Sequence, residues 1–277
     1  MNDPRPVMTE TAVPEGVYAL PVTEVKHYTD RLFFFRTERP QDFRFRSGEF
    51  VMIGLSPEIM GGKTIWRAYS VASPAWEEHV DFYSIKVPDG PLTSRLADIA
   101  VGDTVWMRKK PTGTLVHDAL VPGKRLFLLC TGTGIAPFAS IIRDPETYEK
   151  FEKVYLIHTC RDNAELQYGF DLVDEIANHE ILAEIVGDKL VHYATCTREE
   201  PDTAKGIRAG RMTDLMRSDK LYEDLGIEPL NPETCRVMIC GSMPMLKDCA
   251  EMCENAGLEE GSNSMPGQYV IERAFVG

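Results

Sequence analysis

The residues best suited to chemistry cluster in three short stretches. Residues 128–138 read LLCTGTGIAPF, an apolar run that breaks into Thr131-Gly132-Thr133-Gly134 and then meets Pro137. Glycines there let backbone approach a phosphate, and a helix starting next turns free amides toward it. A dinucleotide fingerprint asks for a third glycine where Pro137 stands. Proline is nonetheless welcome in the first turn of a helix, because that N–H has no intrahelical partner. A plain strand–turn–helix connection has the same appearance. The second stretch, Gly90-Pro91-Leu92-Thr93-Ser94, follows Ile85-Lys86-Val87 and opens helical spacing over 92–99. It too suits an anion, and Thr93 or Ser94 as a simple N-cap is the alternative. The third, Arg67-Ala68-Tyr69-Ser70, alternates along a strand, with Arg67 and Tyr69 on one face and Ser70 on the other. A guanidinium pairs with a pyrophosphate through two bonds. An edge strand with a hydrophilic face is the plain alternative.

The elements that position these stretches follow two grammars. Residues 17–28, 31–37, 49–56, 65–72, 79–87 and 104–108 are short, rich in β-branched and aromatic residues and separated by Gly, Pro, Asp and Ser. Such spacing predicts an antiparallel sandwich or barrel. After Pro122-Gly123, apolar strands at 125–130, 153–159, 189–194 and 236–240 alternate with helical stretches at 137–142, 170–177, 212–217 and 243–255. Alternation of this kind predicts a parallel sheet with crossover helices, whose ligands bind beyond the carboxyl ends of the strands. The chain therefore divides into a tail, 1–16, a β-barrel domain, 17–121, and an α/β parallel-sheet domain, 122–277.

Composition narrows the function. The 277 residues carry a net charge of −13, which argues against nucleic acid. The charge is uneven: residues 1–123 sum to −2 and residues 124–277 to −11. The first half can face an acidic partner that the second repels. No apolar run is long enough for a membrane span. Seven dispersed cysteines without a C-x-x-C indicate reduced thiols, a cytoplasmic setting, and neither zinc nor an iron–sulfur cluster.

Five stretches together carry a family resemblance: WRAYSVASP (66–74) with IKVPDGPLTSRL (85–96), then TGTGIAPF (131–138), CGSMPML (240–246) and the terminal YVIERAFVG. In this order and spacing the chain resembles a bacterial-type ferredoxin/flavodoxin–NADP(H) reductase from Val17 to Gly277. The resemblance implies an FAD-binding barrel followed by an NADP-binding α/β domain. It places FAD on Arg67, Ala68, Tyr69, Ser70, Ile85, Lys86, Val87, Gly90, Leu92, Thr93 and Ser94, with Tyr69 stacked on the flavin and Ser70 near its N5. It places NADP(H) on Thr131, Gly132, Thr133, Gly134, Cys240, Gly241 and Ser242. It gives catalytic roles to Ser70, Cys240 and Glu272, the last as a proton relay. It assigns Arg161, Thr197, Arg198 and Arg211 to a 2′-phosphate, although Asp162, Glu199 and Glu200 offer these arginines surface salt bridges instead.

The implied activity moves electrons between NADPH, as hydride, and a one-electron carrier, ferredoxin or flavodoxin. Arg108, Lys109, Lys110, Arg44, Arg46 and Lys63 are candidates to guide that acidic carrier. An oxygenase reductase component, a free flavin reductase, or a non-enzymatic nucleotide sensor are the alternatives, and nothing calls for more than a monomer. Cys130, Cys160, Cys196 and Cys240 fall at strand ends, so bound NADP⁺ is expected to slow their alkylation. Ala274 takes the place where plastid-type relatives end in a stacking tyrosine, and Phe275 is expected to fold back on the FAD adenine as part of a lid.

Overall fold

The structure is a computed structural model that describes residues 12–273. Its first six strands are β1 (Val17–His27), β2 (Leu32–Glu38), β3 (Phe50–Gly54), β4 (Arg67–Ser70), β5 (His79–Ile85) and β6 (Thr104–Arg108). They pair antiparallel in the order β4-β3-β6-β1-β2-β5. The two edges meet: Tyr69 Oη lies 3.0 Å from Ser84 Oγ, and Ala72 N donates to Asp81 O at 2.8 Å. The barrel is thereby nearly closed, which leaves little free edge. The unbroken run Leu32-Phe33-Phe34-Phe35 is buried on both faces. Phe33 and Phe35 fill the barrel, whereas Leu32 and Phe34 pack into the core shared with the second sheet.

The remaining strands are β7 (Arg125–Thr131), β8 (Lys153–Cys160), β9 (Leu190–Cys196), β10 (Arg208–Ala209), β11 (Cys235–Gly241) and β12 (Tyr269–Arg273), all parallel, in the order β10-β9-β8-β7-β11-β12. Strand order reverses at β7, so a crevice opens where β7 and β11 end. Helices Ala136–Ile142 and Gln167–Asn178 cover the sheet face that meets the barrel; Met212–Arg217 and Met243–Asn255 cover the other.

The expected helix over 92–99 is a single turn, Thr93–Leu96, and neither candidate caps it. Thr93 Oγ1 accepts from Val87 N at 3.3 Å and Ser94 Oγ donates to Gly90 O at 2.7 Å, so both hydroxyls close the preceding turn. Strands β10 and β12 and the helices Pro145–Lys150, Leu182–Val186 and Lys220–Leu225 were not foreseen from the sequence pattern.

Hydrogen bonds, ion pairs and stacked rings hold the join between the sheets. Arg143, 2% exposed, donates to Ala72 O at 2.8 Å and to Glu175 Oε1 at 3.1 Å. Tyr83 of β5 stacks on Tyr168 with centroids 4.1 Å apart. Glu77, His79 and Asp81 gather ligand-type atoms within 4.8 Å at this join, but Arg36 and Arg143 already answer their charge.

Candidate functional site

The crevice at the carboxyl ends of the parallel strands measures about 600 Å³. It brings together Thr131, Gly132, Thr133, Arg161, Thr197, Arg198, Arg211 and Ser242 from the second sheet with Ile85, Lys86 and Val87 from the barrel. Gly134, Cys240 and Gly241 lie behind this lining as its tightly packed support. A Cβ on Gly134 would stand 2.3 Å from Cys240 O, and one on Gly241 would stand 2.3 Å from Thr131 Oγ1. Thr131 Oγ1 also accepts from Ser242 N at 3.2 Å, tying the two turns together. Gly132 is left-handed at φ 55°, a conformation that favours glycine. Its carbonyl accepts from Nε2 of His158 at 3.1 Å; burial pushes that imidazole down to about 4, so it is neutral. Pro137 sits in the first turn of the helix Ala136–Ile142, entered through a 3₁₀ turn over Gly132–Ile135.

Three guanidinium groups stand exposed around the crevice. Among the described residues, Arg161, Arg198 and Arg211 have no carboxylate partner. Glu199 instead accepts from Asn163 N, and Asn163 Nδ2 donates to Glu200 O at 2.8 Å. The salt-bridge alternative therefore has no support in the geometry. Unpaired cations gathered in the more acidic half leave a site that an anion would satisfy.

The barrel stretch has a matching character. Arg67 Nη1 donates to the Trp66 carbonyl at 2.9 Å and has no carboxylate partner among the described residues. Leu92 and Thr93 keep N–H groups without a backbone acceptor, and Asp89, at φ 60°, bends the turn before Gly90. An arginine and free amides suit a diphosphate. Ala68 is exposed and Ser70 half-buried, its hydroxyl unbonded among the described residues. Tyr69 is 8% exposed, edge-on to Phe35 and Phe82.

Glu272 and Cys240 are register partners on β12 and β11. Glu272 Oε2 accepts from Thr114 N at 3.2 Å, which links the last strand to the barrel side. Burial pushes its carboxyl up to about 7; the Glu49 carboxylate adds to the rise and the Thr114 amide opposes it. The four strand-end thiols are where the pattern put them, but all are buried and burial raises each thiol above its usual range. Cys160 lines the crevice, and Cys130, Cys196 and Cys240 pack in the core of the sheet, so burial slows alkylation at all four even without nucleotide. Ala274 and Phe275, expected to cap the flavin, lie outside the described residues.

The crevice residues that sequence patterns missed include Arg31 and Glu165, bonded to each other at 2.8 Å. Only the four-residue step from Arg161 to Glu165 was a local sign. Of the basic docking candidates, Arg46 is bound to Glu49 and Asp118, and Arg44 to the carbonyls of Gln41 and Phe43. Arg108 lies over Trp66, and Lys109 over Tyr18. Lys63 and Lys110 are exposed without partners among the described residues.

Residues 21–117 match the oxidoreductase FAD-binding domain family and residues 128–251 the oxidoreductase NAD-binding domain family. A flavodoxin/ferredoxin–NADP reductase of Rhodobacter capsulatus is 54% identical over 277 residues, 100% of this chain and 99% of that one. A ferredoxin–NADP reductase of Pseudomonas aeruginosa is 50% identical over 94% of this chain and 98% of that one. Among solved structures, a ferredoxin NADP⁺ reductase of Neisseria gonorrhoeae with bound FAD and NADP superposes with a TM-score of 0.83 at 31% identity, covering 95% of this chain and 100% of that one.

Proposed function

Because the chain belongs to the flavodoxin/ferredoxin–NADP reductase family, we propose that it passes electrons between NADP(H) and a ferredoxin or flavodoxin, with FAD held on the barrel. The observation that carries this reading is the crevice where glycine turns and three unpaired guanidinium groups converge at the strand ends. FAD supplies the link between two-electron hydride chemistry and one-electron transfer. The residues of the chain bind, orient and protonate.

Arg67 and the free amides of the 90–94 turn hold the FAD diphosphate, while Tyr69, Ser70 and the Ile85-Lys86-Val87 end of β5 orient the rest of the cofactor. Thr131 to Gly134, with Gly241 and Ser242, receive the NADP(H) pyrophosphate and nicotinamide ribose. Arg161, Thr197, Arg198 and Arg211 enclose the 2′-phosphate. Cys240, buried under Gly134, shapes the floor near the nicotinamide. Glu272, beside it, holds a proton near neutral pH and releases it as the solution becomes alkaline. Lys63 and Lys110, with Arg108 and Lys109, face the carrier from the near-neutral half. The domain boundary falls near Val121, where Arg236 Nε donates to its carbonyl at 2.8 Å and clamps the linker. The seven free thiols support a cytoplasmic setting.

The test is Arg198→Ala. Loss of a charged hydrogen bond, roughly 1.5–3 kcal/mol, is expected to raise KM for NADPH about 10- to 100-fold and leave that for NADH nearly unchanged. An equal loss with both coenzymes would remove Arg198 from the phosphate pocket.

A further inference from the structure

We propose that Arg31, a residue of the barrel, sets the preference for NADPH over NADH by neutralising Glu165 in the wall of the nucleotide crevice. The inference rests on the NADP(H) reading of that crevice. Arg31 Nη2 donates to Glu165 Oε1 at 2.8 Å, and Arg161 N donates to the other oxygen, Oε2, at 3.0 Å. Glu165 is 7% exposed, so its carboxylate has little water to spread its charge. The nearby guanidinium groups of Arg161, Arg198 and Arg211 line the same crevice and do not pair with it. Arg31 is therefore its one ion-pair partner among the described residues.

The turn that carries Arg31 is built to hold it. Thr29 Oγ1 accepts from the amides of Arg31 and Leu32 at 3.2 and 3.0 Å, and Lys86 N donates to Arg31 O at 2.7 Å. Its side chain thus reaches from the barrel onto the segment that follows β8 and carries Arg161.

The chemistry of the two coenzymes makes this pair selective. NADPH and NADH share their pyrophosphate and differ at the ribose, where one has a 2′-phosphate and the other a hydroxyl. An unneutralised carboxylate bonded to the Arg161 backbone would repel the phosphate. It would also offer an acceptor to the hydroxyl, as the acidic residue after the second strand does in NAD-specific sites. Both effects lower the preference for NADPH. A purely structural latch would weaken both coenzymes alike, and the join has other bonds to hold it, including Arg143 to Ala72 and Lys26 to Asp171.

The experiment measures kcat/KM for NADPH and for NADH in the FAD-loaded protein with ferricyanide as acceptor. Arg31→Ala is expected to lower the NADPH/NADH ratio about 5- to 20-fold, chiefly through KM, as expected for phosphate–carboxylate repulsion at several ångströms in partly screened surroundings. Arg31→Ala with Glu165→Gln should return the ratio to within about threefold of wild type, because no charge then needs neutralising. Glu165→Gln alone should leave the ratio as high or higher. An unchanged ratio in Arg31→Ala, or a double variant as impaired as the single one, overturns the inference. If Arg31→Ala does not fold with FAD, Arg31→Lys and Glu165→Gln decide. Both must keep the preference, and a fall in either overturns the inference. A wild type indifferent to the two coenzymes overturns the phosphate-pocket reading as well. A wild type that prefers NADPH, with the preference intact in Arg31→Ala, overturns the role of Arg31 alone.

Discussion

Glu272 shows how a single half-buried carboxyl ties stability to pH. Its ordinary value of 4.5 is pushed up to about 7 by burial beside Glu49. A group raised on folding binds its proton more tightly in the folded form. Its contribution is therefore most favourable below pH 4.5 and is lost as pH rises through about 7. Glu272→Gln is expected to gain on wild type over that window, reaching roughly 2 kcal/mol above neutrality. Urea unfolding of the FAD-loaded proteins at acid and alkaline pH checks this, and a constant difference would contradict it. If the same carboxyl serves the reaction, the wild-type pH–rate profile should bend near neutrality and the Gln variant should lose that bend. The sequence made Glu272 visible only through family resemblance. Its raised pKa comes from burial and from Glu49, which lies far away in the chain.

Glycine turns are the elements on which the crevice rests, and two of them separate space from conformation. Gly134→Ala would drive a methyl to 2.3 Å from the Cys240 carbonyl, with rigid backbone on both sides. Overpacking of that kind costs about 1–3 kcal/mol and must push β11 from the turn, so NADP⁺ binding should weaken with stability. Gly132→Ala has open space but a φ of 55°, so only backbone strain of about 1 kcal/mol is expected. Thermal midpoints and NADP⁺ titrations of the two variants should rank Gly134→Ala as the more damaging in both. The core strands of both sheets were legible because burial on one or both faces writes an apolar pattern into the sequence. The Arg208–Ala209 strand is too short to write one, and the Pro145–Lys150 helix, starting after the N-cap Asp144, has little apolar face to show. The strand ends that carry the NADP(H) candidates come together, since parallel topology sends them to one edge. The same logic sends Cys160 to the crevice lining, while Cys130, Cys196 and Cys240 sit in the packed core, because a strand end can face either side.

The whole molecule divides its charge unevenly. The near-neutral barrel half presents Lys63 and Lys110, unpaired among the described residues, while the other half carries a net −11. Reversing both lysines to glutamate should raise KM for an acidic ferredoxin or flavodoxin several-fold at low salt, by removing steering of that carrier. Ferricyanide reduction should change far less, and equal losses with both acceptors would contradict docking at these positions. What sequence could not show is how the halves meet. Arg31 and Glu165 are 134 positions apart, and only the folded join brings them to 2.8 Å. The central claim is that this chain binds FAD and reduces it with NADPH for delivery to a one-electron carrier. It is tested most directly by anaerobic stopped-flow absorbance of the purified protein. The expected result is a bound-flavin spectrum that NADPH bleaches at least about tenfold faster than equimolar NADH, and that oxidised ferredoxin or flavodoxin then restores. A protein that holds no flavin, or whose flavin NADPH leaves oxidised, would contradict it.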